Sequence, residues 1–301
     1  MRVHVLNVGS LRFARGIVAA QTTGQILRGV ARGRRSSGPT DVVPMLSYVL
    51  EHDDGHIVID TGVGQALAER FRTESDPVSR RVLEVTVDPD TEVGPQMRAI
   101  GLRPEDVRLV LLTHLHFDHA GGIEHFPNAE VLVHRTEWDG RAAFGGNYWR
   151  LQEPAWTGVG GPHLFDLIPE PYGPFDASLP LTNHGDVVVL PTPGHTRGHV
   201  AIAVRTSDLT LLFTGDHFVR QSWYAADLTR GMQPFNIIAK LTADTNRRLQ
   251  RFVTEFPTLV LPTHDAEAAE NLARWEPLNL VYGDSGFHAT PASSTPRSEN
   301  G

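Results

Sequence analysis

The sequence predicts an α/β fold. Nine short runs rich in Val, Leu and Ile recur along it, each closed by turn residues: "VHVLNV", "MLSYVLEH", "HIVIDTG", "VRLVLLTH", "AEVLVHRTE", "DVVVLPTPG", "HVAIAVRT", "LTLLFTGD" and "TLVLPTHD". Helical patterns lie between some of them. "TEVGPQMRAIGL" reads as a helix closed by Gly101. "NIIAKLTADTNRRLQRFVTEF" has apolar residues at helical spacing over the longest stretch, and "DAEAAENLARWEP" is stopped by Pro277. A third observation concerns the strand ends. Several of the apolar runs finish in His or Asp, the costliest side chains to leave beside a core.

The bulk properties narrow the class. The chain has 301 residues, 40% of them hydrophobic and 21% charged, which suits a globular domain with a real core. Its formal net charge of −8 argues against nucleic acid as a partner. Cysteine is absent, so disulfides and thiolate metal sites are excluded, and any metal must be held by His, Asp or Glu. A strand-like run opens the sequence where a signal peptide would need a charged and then an apolar region. No apolar run reaches the ~18 residues of a membrane span. A cytoplasmic protein with no membrane partner is the expectation. Residues 1–287 are read as one domain, and 288–301, which lack an apolar pattern, as a disordered tail.

Two segments stand apart. Residues 10–40 carry Arg12, Arg15, Arg28, Arg32, Arg34 and Arg35 with no acidic residue. They suit either a solvated loop or a basic entrance for an anionic substrate. Residues 137–175 hold Trp138, Phe144, Tyr148, Trp149, Trp156, Phe165, Tyr172 and Phe175 among glycines and prolines. These suit an apolar pocket wall or the packing of an excursion onto the domain.

The stretch "LLTHLHFDHAGG" concentrates the chemistry in His114, His116, Asp118 and His119. Alternate side chains of an extended segment share a face, so His114 and His116 can grip one ion. Once the strand breaks, Asp118 and His119 project elsewhere and can grip a second. Gly121 and Gly122 are expected to let the backbone bend there. Two cations about 3.5–4 Å apart need a bridging anion, and Asp216 of "LFTGD" is the natural candidate. His195 and His199 of "TPGHTRGH", His264 and Asp265 of "PTHD", His217 and Asp60 lie at other strand ends, where ligands of α/β sheets bind.

"THLHFDHAGG", "TPGHTRGH", "FTGD" and "PTHD", with "IVIDTG" upstream, resemble the metallo-β-lactamase superfamily over about residues 3–270. The blocks "MLSYVLEHDDGHIVIDTG", "LLTHLHFDHAGGIEHFPNAEVLVHRTEWD" and "LPTPGHTRGHVAIAV" look most like its N-acyl-homoserine lactonase branch. The resemblance implies an αββα sandwich of two mixed β-sheets flanked by helices. It also implies that His114, His116 and His195 ligate one metal, that Asp118, His119 and His264 ligate another, and that Asp216 bridges them. Asp60 and His199 would orient ligands by hydrogen bonds. His217 would lie near the pocket. The resembled lactonases carry tyrosine three residues after the bridging aspartate; here that position is Val219, and Tyr224 is the candidate replacement.

The implied activity is hydrolysis by a metal-bridging hydroxide that attacks a lactone or ester carbonyl, with Asp118 passing a proton to the leaving group. Zinc suits the imidazole and carboxylate set, as do iron, manganese and cobalt. The expected substrate is a hydrophobic lactone, an N-acyl-homoserine lactone first, as in quorum quenching. The alternatives are an aryl ester or a phosphotriester on the same site, or a non-catalytic metal-binding module. Relatives of this kind are often homodimers.

Overall fold

A computed structural model describes residues 1–14, 41–77, 79–141, 146–218, 239–275, 279–283 and 286–290. The first sheet is built from β1 (Arg2–Phe13), β2 (Asp41–Glu51), β3 (His56–Ile59), β4 (Leu83–Thr86), β5 (Val107–Leu111), β6 (Glu130–His134) and β7 (His163–Phe165). Their order is β4-β1-β2-β3-β5-β6-β7, antiparallel on the β1 side and parallel from β3 to β7. The second sheet contains β8 (Leu179–Pro180), β9 (Val187–Pro191), β10 (Val200–Arg205), β11 (Thr210–Gly215) and β12 (Thr258–Pro262). It runs β12-β11-β10-β9-β8, with β11 and β12 parallel and the remaining pairs antiparallel.

The apolar runs read as unbroken because both faces of each sheet are covered. Side chains on a strand alternate faces, and the burial follows that period. Ile57, Ile59, Leu109 and Leu111 point between the sheets, where they meet Ile202, Val204, Leu211, Phe213, Leu259 and Leu261. Their neighbours Val58, Val110 and Leu112 point outward onto Leu67, Phe71, Met97 and Leu151. On the second sheet Ala201, Ala203, Leu212 and Val260 point outward onto Leu249, Phe252 and Val253. Helices Gln65–Glu74, Val93–Ala99 and Gly146–Gly158 thus cover one outer face, and helix Ala239–Glu255 covers the other. This is the expected αββα sandwich.

All nine expected strands form. The helix Val93–Ala99 is closed as predicted: Gly101 takes φ 83° and Leu102 N–H donates to Met97 O at 2.9 Å. Helix Ala268–Arg274 ends earlier than the sequence signal, with Trp275 in the left-handed region; Pro277 lies outside the described residues. A hairpin of β13 (Asn279–Gly283) and β14 (Gly286–Thr290) runs past residue 287, and 291–301 of the expected tail lie outside the described residues. Among the described residues, no helix is long and apolar enough to cross a membrane.

The aromatic segment packs the excursion onto the domain. Trp138, Trp149 and Trp156 cluster with ring centroids 5.3–6.1 Å apart, and Trp156 is buried in the outer core. Arg141 stacks over Trp138 at 4.2 Å. Tyr172 and Phe175 join Phe252 on the other side of the molecule. Phe144 and residues 15–40 of the arginine segment lie outside the described residues.

Candidate metal centre

Both sheets deliver polar residues to one edge. Asp60 follows β3, His114 follows β5, His195 follows β9, Asp216 follows β11 and His264 follows β12. Backbone bonds lock the sheets together there: Val200 N–H donates to Thr113 O at 2.9 Å, and Leu46 N–H to Thr263 O at 2.9 Å. Tyr48 adds its hydroxyl to Pro262 O at 2.6 Å.

The "THLHFDHAGG" stretch divides as its chemistry requires. His114 and His116 lie on non-helical chain after β5, and Phe117–Ala120 then winds into a helical turn that turns Asp118 and His119 elsewhere. Leu115 and Phe117 enter the outer core. The two glycines act differently from the expectation. Gly121 has φ −81° and Gly122 φ −105°, so neither needs glycine's conformational freedom. They permit close approach instead: a Cβ at Gly121 would sit 2.3 Å from Phe117 O, and one at Gly122 would sit 2.4 Å from Thr61 O. At Gly215, before Asp216, the backbone does take φ 50°, and a Cβ would fall 2.6 Å from Thr113 Oγ1.

Two ligand groups result. His114, His116, His195 and Asp216 bring one nitrogen or oxygen each within 4.8 Å of one another, and so do Asp118, His119, Asp216 and His264. Asp216 divides its oxygens between them. Oδ2 lies 3.9 Å from His114 Nε2 and 3.4 Å from His195 Nε2. Oδ1 lies 3.1 Å from both His119 Nε2 and His264 Nε2. Asp118 Oδ2 stands 3.3 Å from His264 Nε2 and 3.7 Å from His119 Nε2. The seven residues predicted as ligands are therefore gathered in one place.

Outer hydrogen bonds fix how the imidazoles face. Asp60, fully buried and strained at φ 55°, accepts from Thr113 N–H at 2.9 Å and pairs with His119 Nδ1 at 2.7 Å. His264 Nδ1–H donates to Pro44 O at 2.7 Å, which turns Nε2 inward. His199 accepts the Asp216 N–H on Nε2 at 3.3 Å, and its Nδ1 meets Thr192 Oγ1 at 2.9 Å. His217 belongs to neither ligand group; its Nε2 lies 2.7 Å from Asn246 Oδ1. Sequence reading missed Glu137, a buried carboxylate that accepts from Leu115 N–H, Thr196 Oγ1–H and Gly198 N–H. Its signal is faint, since it sits in a polar helical turn.

The electrostatics split the two groups. Burial pushes the His114 imidazole well below the usual histidine range, and nearby histidines add to this. Burial likewise takes His195 down to about 3 against the pull of Asp216. His119 and His264 go the other way. Burial opposes their charge, but Asp216, Asp60 and Asp118 hold a proton on His119 well above its ordinary range. Asp216 and Asp118 carry His264 up to about 10. Burial also works against charge on Asp216, yet His119 and His264 keep it well below the usual carboxylate range.

The donors fit a pair of divalent ions. Among the described residues His114 Nε2 is buried without a hydrogen-bond partner, an arrangement that costs energy unless something else meets it. Imidazole nitrogen and carboxylate oxygen suit zinc, iron, manganese or cobalt. Val219 and Tyr224 lie outside the described residues.

Residues 40–274 match the family described as the Metallo-beta-lactamase superfamily. A probable metallo-hydrolase of Mycobacterium tuberculosis is 35% identical over 181 residues; the match spans 58% of this chain and 58% of that relative's length. An N-acyl homoserine lactonase, AttM, of Rhizobium johnstonii is 30% identical over 227 residues, 69% of this chain and 82% of the relative. Among solved structures, an N-acyl homoserine lactone hydrolase with N-hexanoyl-L-homoserine bound at its catalytic metal center superposes with TM-score 0.67. It is 19% identical and covers 89% of this chain and 94% of its own. A dizinc quorum-quenching lactonase, AidC, superposes with TM-score 0.63 at 14% identity, covering 97% and 94%. With its two-sheet sandwich, its strand-end histidines and aspartates and this match over most of its length, the chain belongs to the metallo-beta-lactamase superfamily.

Proposed function

We propose that this protein is a dinuclear metal-dependent hydrolase that opens a lactone or ester, with N-acyl-homoserine lactones as the first substrate class. The observation that carries this reading is Asp216, one carboxylate with an oxygen turned to each group of ligands. His114, His116 and His195 would hold one ion and Asp118, His119 and His264 the other, with zinc the first choice. Bound there, the ions supply Lewis acidity and water activation at neutral pH.

The chain's own residues do the rest. Asp118 lies at the inner edge of the second group, nearly buried, with its Oδ2 facing two imidazoles. It takes a proton from the attacking water as the water oxygen bonds to the carbonyl carbon. It returns that proton to the leaving oxygen as the acyl C–O bond breaks. A lactone then gives one ring-opened hydroxy acid, and an ester gives an acid and an alcohol. Asp60 and His264's bond to Pro44 O keep the imidazoles oriented through the cycle. The similarity to lactonases named for N-acyl homoserine lactones supports the choice of substrate. Val219, where the resembled lactonases carry tyrosine, favours a second reading as an aryl-ester or phosphotriester hydrolase on the same site.

The test is a pH-stat screen of zinc-loaded protein. Short- and long-chain N-acyl-homoserine lactones are set against simple lactones, an aryl ester and a phosphotriester, with Asp216→Asn as the control. Turnover of the acyl-homoserine lactones that Asp216→Asn abolishes is the expected result. Turnover confined to aryl esters or phosphotriesters would move the assignment to the second reading. Two bound zinc ions with no turnover on any of them would leave a metal-binding module.

A further inference from the structure

We infer that Glu137 is a positioning residue for the first ligand group, acting on His114, His116 and His195 together and not on Asp118, His119 and His264. This rests on the two-group reading above and extends it to a residue outside both groups.

Glu137 lies on the helical turn Arg135–Gly140 that follows β6 and is only 7% exposed. Among the described residues it forms no ion pair. Its charge is met by three donors instead. Oε1 accepts from Leu115 N–H at 3.1 Å. Oε2 accepts from Thr196 Oγ1–H at 2.6 Å and from Gly198 N–H at 3.0 Å. Leu115 is the residue between His114 and His116. Thr196 directly follows His195, and Gly198 closes the same loop. One carboxylate therefore ties together the two chain segments that carry all three imidazoles of the first group.

The surroundings are built for this contact. Gln152 Nε2 donates to Leu115 O at 2.8 Å, so both backbone groups of Leu115 are held by side chains. His134 Nδ1 donates to Gly198 O at 3.0 Å. Gly198 has no room for a side chain: a Cβ there would stand 2.1 Å from Glu137 N and 2.5 Å from Glu137 Cα. The glycine lets the turn carrying Glu137 close against the His195 loop.

The chemistry requires a carboxylate. All three partners donate, and a carboxylate accepts on both oxygens. An amide has one oxygen and one NH2. Glutamine could accept from Leu115 or from the Thr196–Gly198 pair, but would turn a donor toward the other. Asp60 braces the second group through His119 Nδ1 and through Thr263, which precedes His264, and it also takes the Thr113 N–H beside His114. Asp60 thus reaches both groups, whereas the three bonds of Glu137 go to the first group's segments alone, so its loss should leave the second group in place.

The experiment is a zinc titration of metal-free protein against a chromophoric chelator, read in single-group backgrounds. His264→Asn leaves only the first group whole, and His195→Asn leaves only the second. Glu137→Gln is expected to weaken zinc binding by about 10–100-fold in the His264→Asn chain, the usual loss for an outer partner of a metal ligand. In the His195→Asn chain it is expected to change affinity less than threefold. Thr196→Val, which removes one of the three bonds, should shift the first background in the same direction by less, and serves if Glu137→Gln fails to fold. Equal loss in both backgrounds, or none in either, would overturn the inference while leaving the two-group reading intact. A wild-type chain that binds no zinc would instead overturn the two-group reading itself.

Discussion

The space between the sheets and the edge where their strands end are buried to the same degree by the same strands, yet they are held by different forces. Between the sheets, Ile59, Leu111, Phe213 and Leu261 are at most 2% exposed and wholly apolar. One to three residues further along those strands, Asp60, His114, Asp216 and His264 are at most 7% exposed and wholly polar. The first region is stabilised by removing apolar surface from water, a non-directional force that tolerates modest repacking. The second depends on individual partners at individual atoms, and His114 Nε2 has none among the described residues. Damage to the first should therefore appear as lost stability, and damage to the second as lost ion binding and turnover.

The largest effect should come from Asp216→Asn. Losing the charge that faces both groups is expected to lower kcat/KM by about 10³-fold or more, comparable with losing a principal electrostatic contact. Metal analysis should find fewer than two zinc ions per chain. Its unfolding free energy without metal should change less than that of the core variant below. Two tightly bound zinc ions and full turnover would end the comparison.

Phe213→Ala tests the other region. The ring is 1% exposed and packs edge-on against Tyr48 at 4.8 Å. Truncation should cost about 3–5 kcal/mol in urea unfolding. Zinc stoichiometry below the unfolding midpoint should stay at two. Tyr48→Phe sits at the boundary, since it keeps the ring and deletes one bond to Pro262 O. A loss of about 1 kcal/mol is expected from the same unfolding curves. A much larger loss would mean that the edge stabilises the sandwich more than its core does.

The smallest effect lies far from the site. Burial alone would raise the Asp186 carboxyl, but bonds from Thr182 and His52 hold it below its ordinary value. A depressed carboxylate contributes stability above its unfolded pKa and loses it as pH falls through the folded value. Asp186→Asn should thus flatten the acid side of the stability–pH curve by less than about 1 kcal/mol, as befits a partly exposed pair. An unchanged curve would remove this bond from the account.

Much of the fold was legible because its strands are covered on both faces and so read as unbroken apolar runs. The strands that escaped notice are short or at an edge. Leu83–Thr86 alternates half-buried and exposed residues, His163–Phe165 has three residues and Leu179–Pro180 two. Such strands are defined by the partner that offers hydrogen bonds, and local sequence carries no trace of the partner. The aromatic segment was ambiguous for a related reason: indoles suit a pocket wall and a packed helix equally until their neighbours are known.

Local chemistry pointed to a metal site, because the spacing of His114, His116, Asp118 and His119 and the His and Asp at other strand ends are too costly to be incidental. The resemblance to the metallo-β-lactamase superfamily then singled out the seven ligand-type residues from the remaining strand-end candidates. The sequence alone determined that much, along with the α/β class and the helix stop at Gly101. Only the tertiary structure decided how Asp216 divides its two oxygens, which imidazole nitrogen faces inward, and that Gly121 and Gly122 serve close approach and not bending. It alone revealed Glu137, whose partners lie 22, 59 and 61 residues away along the chain. A hydrogen bond is set by distance and direction in space, and a residue type records neither.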